Sequence, residues 1–300
     1  GPISAEWLCA KRLTNTGREN VALAMSHQRQ DRVPVAAAGR RDSRELALRL
    51  VSAAILIPFA LYVVWAGGWW LAVGAALFAA AMGLEWSRMS GHRPAGLLIL
   101  PIAGLNLLVP VIRVELFCAL LVASALVFAL ANRRDGAIAA FGVLYAGGMP
   151  FALQLLRGGP WDGQAAALIL MATVWASDSA AYFAGRGFGG PPLTTDSPNK
   201  TWSGAIGAIL ACMLCGLIAA GLLSAEKLVW AAVGAVVSVA AQLGDLFESQ
   251  IKRRFGVKDA GGLVPGHGGV MDRVDGLGAV CIVAVTVFLA APALLTRLGL

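Results

Sequence analysis

Two polar stretches in an otherwise apolar chain carry the side chains capable of chemistry. The first holds Asp178, glycines at 185, 187, 189 and 190, and then Ser197-Pro198-Asn199-Lys200-Thr201-Trp202. The second begins with Asp245 and Glu248 and continues through Lys252, Arg253, Arg254, Lys258 and Asp259. It then reads Pro265-Gly266-His267-Gly268-Gly269 and closes on Asp272-Arg273-Val274-Asp275. Carboxylates three positions apart share a helix face, so Asp245 with Glu248 and Asp272 with Asp275 form two acidic pairs. Acidic pairs in a segment rich in cations suit a hard, oxygen-ligated ion such as Mg²⁺ that also holds a polyphosphate. The lysines and arginines would supply the countercharge to the phosphates. An ordinary charged loop with an acidic helix N-terminus would account for the cations and for Asp272. It does not account for Asp245 and Glu248 at a helix C-terminus, where the dipole repels them.

Ser is a preferred N-cap and Pro a preferred first helical residue, so a helix is expected to begin at Ser197-Pro198. Lys200 and Thr201 then fall in its first turn. A lysine there opposes the helix dipole, which makes sense if an anion sits on the free N–H groups. Gly185, Gly187 and Gly190 match G-x-G-x-x-G, but they follow an apolar run instead of a strand and read as a turn. Cys212 and Cys215 have C-x-x-C spacing without a second ligand pair, and read as small buried side chains.

The elements that position these residues follow from composition. Hydrophobic residues make up 58% of the 300 and charged residues 14%, against about a quarter charged in an average soluble domain. This excludes a soluble enzyme or a disordered protein. The formal charge of +7 suits anionic lipid headgroups and phosphates, with no nucleic acid expected. Nine apolar runs alternate with polar breaks: Leu48–Ala66, Trp69–Glu85, Leu97–Ile112, Val114–Ala131, Ile138–Leu156, Ala165–Tyr182, Ala205–Ser224, Leu228–Phe247 and Leu277–Thr296. They approach the roughly twenty residues of a membrane helix and lack the period-two alternation of a barrel. The expected fold class is therefore all-α, a polytopic integral membrane protein of about nine transmembrane helices. Residues 1–45 are expected to be a flexible basic tail, and residues 46–300 the membrane domain.

Arginine and lysine cluster in alternate links, which predicts a cytoplasmic N-terminus by the positive-inside rule. Asp178, Ser197 to Thr201, Asp245 and Asp272 then all fall on the cytoplasmic face, where one convergent site is expected.

At these residues the chain resembles the phosphatidate cytidylyltransferase (CDP-diacylglycerol synthase) family. The resemblance is carried by Ser249, Ile251, Lys252-Arg253, Lys258-Asp259, Pro265, His267-Gly268-Gly269, Val270, Asp272-Arg273, Val274 and Asp275. Upstream it extends to Asp178 with Ala181-Tyr182 and to the Ser-Pro-x-Lys-Thr-Trp element; nearer the N-terminus only hydropathy and Glu85-Trp86 match. Val264 stands where Leu, Ile or Phe is usual, and Asn199 and Ser203 occupy positions that vary or are often charged.

The resemblance implies transfer of CMP from CTP to phosphatidic acid, giving CDP-diacylglycerol and pyrophosphate. It implies Mg²⁺ on Asp245, Asp272 and Asp275, with Asp178 as an accessory and a second, monovalent cation such as K⁺ beside it. Ser197, Lys200, Thr201, Lys252, Arg253, Lys258 and Arg273 are then expected on phosphate, and His267 on pyrophosphate or a ligand carboxylate. It further implies a bacterial inner-membrane enzyme with the diacyl tails between helices, a cytoplasmic site and a homodimer.

Three other readings compete with this one. Asp272-x-x-Asp275-Gly276-x-x-Ala279 copies the start of the CDP-alcohol phosphotransferase motif, but Val280 follows and no Asp occurs downstream. A cation or proton transporter would carry charges near mid-span on repeated helices, and no such repeat is seen. A relative acting on an ether-linked lipid phosphate is not separated by sequence.

Overall fold

The computed structural model describes residues 51–52, 54–159, 161–194, 197, 199–263 and 268–300. The expected tail, residues 1–45, lies outside the described residues. Ser52–Leu300 forms one structural unit. Its helices are α1 (Ala54–Ala66), α2 (Gly68–Ser90), α3 (Ala95–Leu108), α4 (Val114–Ala131) and α5 (Gly136–Gly158). They continue as α6 (Gly163–Phe188), α7 (Trp202–Leu222), α8 (Lys227–Arg254), α9 (Met271–Ala290) and α10 (Pro292–Leu298). Among the described residues there is no strand, only an isolated bridge between Pro192 and Thr201. The chain is an all-α polytopic membrane protein.

Each of the nine apolar runs contains a helix. Seven are long and apolar enough to cross a membrane, while α1 and α3 are shorter. The ninth run differs most. Its helix starts six residues early, at Met271, so Asp272 and Asp275 belong to the helix itself. It stops at Ala290, and Pro292 opens the separate α10, because proline cannot continue the i→i−4 ladder.

Two apolar cores organise the bundle. One joins α2, α3, α4 and α5 around Trp86, Ile102, Phe117 and Val143. The other joins the far half of the chain around Leu170, Trp230, Ala241 and Val280. Helix α5 links them by packing on α2, α4 and α9. One group of buried polar side chains is paired across helices. Asn106 donates to the Ile102 and Gly147 carbonyls, at 2.8 and 3.1 Å, and accepts from Gln154 Nε2 at 3.0 Å. Such bridges tie α3 to α5 where lipid offers no alternative partner.

Close backbone approach sets the α7–α8 pair. A Cβ on Gly234 would overlap the Cys212 carbonyl, and one on Gly216 would overlap the Trp230 carbonyl. Small residues at such crossings let membrane helices touch. Gly234→Leu is therefore expected to destabilise the purified protein by about 1–3 kcal/mol, the usual cost of overpacking. Thermal unfolding in detergent measures this, and an unchanged midpoint would contradict the close α7–α8 contact.

Candidate active site at one end of the bundle

Successive helices run in opposite directions, so the later part of α6, the start of α7, the later part of α8 and the start of α9 meet at one end. A polar ladder sets two of these in register. Ser177 Oγ on α6 lies 3.2 Å from Ser238 Oγ on α8, and Gln242 Nε2 donates to the same Ser238 oxygen at 3.0 Å. Asp178 follows Ser177, and Asp245 lies about two turns beyond Ser238, so the two carboxylates reach the same region. Asp178 is within electrostatic reach of Asp245, Lys200 and Arg273. Lys200 forms an ion pair with Asp245.

The segment bearing Lys200 departs from expectation. Thr201, not Ser197, caps α7, accepting from Gly204 N at 3.2 Å, so Lys200 precedes the helix. The cause is tertiary. Leu193 N donates to the Lys200 carbonyl at 2.6 Å and Trp202 N to the Pro191 carbonyl at 3.2 Å, which holds Thr201 extended. Ser197 instead opens a turn, its carbonyl accepting from Lys200 N at 3.1 Å. Pro198 lies outside the described residues. The glycine-rich turn is also shorter than expected: Gly185 and Gly187 remain helical, and Gly189 and Gly190, with φ of +63° and +109°, make the turn. Gly185 is needed where it stands, because a Cβ there would lie 2.9 Å from Thr201 Oγ1.

Helices α8 and α9 supply the densest part. Gly244 lets them close together, since a Cβ there would lie 2.6 Å from Ala279 Cβ and 2.7 Å from the Asp275 carbonyl. Across this contact Asp275 faces Asp245, Glu248 and Lys252. Its Oδ1 accepts from Gly276 N at 2.8 Å. Lys252 Nζ lies 2.6 Å from Asp272 Oδ1 and 3.3 Å from Glu248 Oε1. Asp272 Oδ2 accepts from Gly269 N at 3.0 Å and Ala260 N at 3.3 Å. Glu248 is fully buried, and apart from the Lys252 ammonium its oxygens face the Asp272 and Asp275 carboxyls.

The structure thus brings together Asp178, Lys200, Asp245, Lys252, Asp272, Arg273 and Asp275. Thr201 joins them only as a helix cap. It does not bring in Arg253, which is exposed and donates to the Val257 carbonyl at 3.0 Å. Lys258 is exposed in the turn after α8. His267 lies outside the described residues.

Two carboxylates take larger parts than the sequence suggested. Glu248 was visible as the companion of Asp245, but its burial against Lys252 was not. Glu85 stood at the expected end of the second span, marked otherwise only by the Glu85-Trp86 match to the family. Helix α2 runs on to Ser90 and buries it completely, and there it accepts from Val270 N and Met271 N, both at 2.9 Å. Its signals in the sequence were a carboxylate closing an apolar run and the Glu85-Trp86 match.

In ionised form, five carboxylates (Asp178, Asp245, Glu248, Asp272 and Asp275) face three cations (Lys200, Lys252 and Arg273). The residual formal charge is −2, the amount that one divalent cation would neutralise. Among the described residues no three Asp, Glu, His or Cys side chains are disposed to hold an ion unaided. Mg²⁺ ordinarily asks for only one or two carboxylates and fills its octahedron with phosphate and water, and the facing Asp245 and Asp275 are donors of that kind. Beside the site runs an apolar groove of about 670 Å³ lined by Ile209, Val239, Leu243, Gly244, Phe247 and Val283. Such a place can bind an anion, a cation and an apolar chain together.

Comparison with known proteins agrees with this chemistry. Over 246 residues the chain is 41% identical to the phosphatidate cytidylyltransferase of Brucella suis, covering 77% of this chain and 89% of that one. The phosphatidate cytidylyltransferase of Helicobacter pylori J99 is 44% identical over 116 residues, 38% of this chain and 44% of that one. The chloroplastic phosphatidate cytidylyltransferase 4 of Arabidopsis thaliana is 43% identical over 115 residues, 38% of this chain and 29% of that one. The profile of the cytidylyltransferase family matches residues 47–291, which include the whole acidic and basic cluster, and the chain belongs to that family.

Proposed function

We propose that the chain transfers CMP from CTP to phosphatidic acid, releasing pyrophosphate and leaving CDP-diacylglycerol in the membrane. The observation that carries this reading is the meeting of five carboxylates and three cations at one end of an apolar bundle, beside an apolar groove. A phosphate monoester is already a nucleophile near neutral pH, so the site has no need of a strong base. An oxygen of the lipid phosphate attacks the α-phosphorus of CTP, and the bond from that phosphorus to the β-phosphate oxygen breaks. Catalysis then rests on bringing two anions together and stabilising the leaving group.

The residues divide this work. Lys200, Lys252 and Arg273 take phosphate oxygens, leaving their carboxylate partners to face a cation. Asp245 and Asp275 would hold Mg²⁺, with Asp178 as an accessory; bound there, the ion shields the phosphates and polarises the α-phosphorus. Asp272 completes the expected trio once Lys252 turns to phosphate, and its Oδ2, accepting from Gly269 and Ala260, also orders the ligand-bearing turn. A monovalent cation would add charge neutralisation at the same cluster. The groove beside Gly244 accepts an acyl chain from the bilayer. The arrangement suits a multi-pass protein of the bacterial cell membrane whose site opens to the cytoplasm, where CTP is made.

The test uses purified protein in detergent with labelled CTP, phosphatidic acid and Mg²⁺. Liponucleotide and pyrophosphate are expected in equal amounts. Their absence from folded protein would overturn the reading. Stripping with EDTA is expected to reduce turnover to background, and Mg²⁺ to restore it. Full activity after stripping would remove the metal from the proposal.

A further inference from the structure

Glu85 sits on α2, far in sequence from the α8–α9 cluster, yet it is built into it. Both its oxygens are used: Oε1 accepts from Val270 N and Oε2 from Met271 N, each at 2.9 Å. Val270 is the N-cap of α9 but contributes no side-chain hydrogen bond. The first donors of α9 are therefore satisfied by a carboxylate 185 positions away. The loop before α9 is fitted around the same group. A Cβ on Gly261 would lie 2.7 Å from Glu85 Oε1, and one on Gly269 would lie 2.9 Å from Oε2. Both ends of the segment between Ala260 and Val270 thus rest on Glu85. Gly269 also donates to Asp272, so three successive amides, of Gly269, Val270 and Met271, are held by Asp272 and Glu85.

A helix N-terminus is a natural seat for phosphate, because its free N–H groups and dipole favour an anion. At α9 that seat is filled by Glu85. The substrate phosphates are left to Lys200, Lys252 and Arg273, and the N-terminus of α9 is fixed before substrate arrives. Asp272 and Asp275 lie in the first turns of that helix, and a small rotation of its end would move both.

We infer that Glu85 is a positioning residue of the transfer reaction. It fixes the start of α9 and both ends of the preceding loop, and so sets where Asp272 and Asp275 present their oxygens. The inference rests on the proposed reaction for its kinetic consequence but not for its structural one.

The test compares the full-length wild-type protein with Glu85→Gln, Glu85→Asp and Glu85→Ala in detergent. Gln keeps the shape and one acceptor but loses the charge and the second acceptor. Without metal or nucleotide, amide exchange in residues 268–276 of Glu85→Gln is expected to be at least about tenfold faster, while the middle of α2 is unchanged. With both substrates saturating, turnover should fall about 10–100-fold, the usual range for groups that orient metal ligands. The Mg²⁺ concentration for half-maximal turnover should rise together with this loss, and the KM for phosphatidic acid should not change. Glu85→Asp, which keeps the charge, should recover part of the Mg²⁺ response.

A merely structural role would lower the amount of active enzyme and leave the Mg²⁺ midpoint unmoved, and that result would overturn the inference. So would unchanged exchange in residues 268–276. If Glu85→Ala does not fold, Glu85→Gln decides alone. If the wild-type protein makes no liponucleotide, the proposed function fails, and the exchange measurement still decides whether Glu85 fixes α9.

Discussion

Asp275→Asn is expected to lower liponucleotide formation at least about 100-fold, equivalent to about 2.7 kcal/mol of barrier, while the protein unfolds no earlier than wild type. The two halves of this expectation have separate causes. Asn keeps the side-chain shape and the oxygen that accepts from Gly276 N at 2.8 Å, so the local backbone loses nothing. It removes one negative charge from a place where Asp275 faces both Asp245 and Glu248. Without a cation that change relieves repulsion, and the folded state is equally or more stable. With a cation it removes a ligand, and the phosphates lose part of their shielding. A residue kept for stability would show the opposite pairing, with lower stability and near-normal activity. Steady-state turnover together with thermal unfolding in detergent separates the two. Activity within about threefold of wild type would mean that Asp275 does not serve the metal, because loss of one charge-stabilising group ordinarily costs 100-fold or more.

The convergence behind this prediction was legible because it depends on topology. Asp178, Lys200, Asp245 and Asp272 each stand where an apolar run ends or begins, and alternating helices bring such places to one side. Residue type and order were enough. The start of α7 was not legible, because Ser197-Pro198 and Thr201 both carry local cap chemistry. The choice was made by hydrogen bonds from Leu193 and Trp202, which no local spacing reveals. Glu85 was hidden for a related reason. Its partners are 185 and 186 residues away, and an apolar run that ends in a carboxylate looks like a helix reaching water. Helix α2 goes on for five more residues, which makes the same carboxylate a buried cap. Glu248 lies between these cases. Its three-residue spacing from Asp245 put both on one face, but only packing turned Glu248 inward to full burial and left Asp245 half exposed.

Lys252→Met should produce the largest loss of stability in the site, about 3–5 kcal/mol, the usual consequence of stripping one partner from a buried ion pair. Methionine preserves much of the apolar stem, so the change isolates the ammonium. That ammonium lies 2.6 Å from Asp272 and 3.3 Å from Glu248, and both the lysine and Asp272 side chains are nearly enclosed, at 12% and 11% exposure. Without it, Glu248 is left fully buried among Asp272 and Asp275 with no countercharge. Adding Glu248→Gln removes the stranded charge, so the double variant should be more stable than Lys252→Met alone. The interaction free energy from the cycle should exceed about 1 kcal/mol, as expected for neighbours in one network. A melting temperature for Lys252→Met within two degrees of wild type would show that the cluster does not depend on this cation. The activity of the double variant answers a second question. If Lys252 also holds substrate phosphate, restored stability will come without restored turnover, because glutamine removes a repulsion but supplies no positive charge. If both return, the lysine only balances Glu248, and phosphate binding falls to Lys200 and Arg273, which face Asp178 and Asp245 on the other side of the cluster.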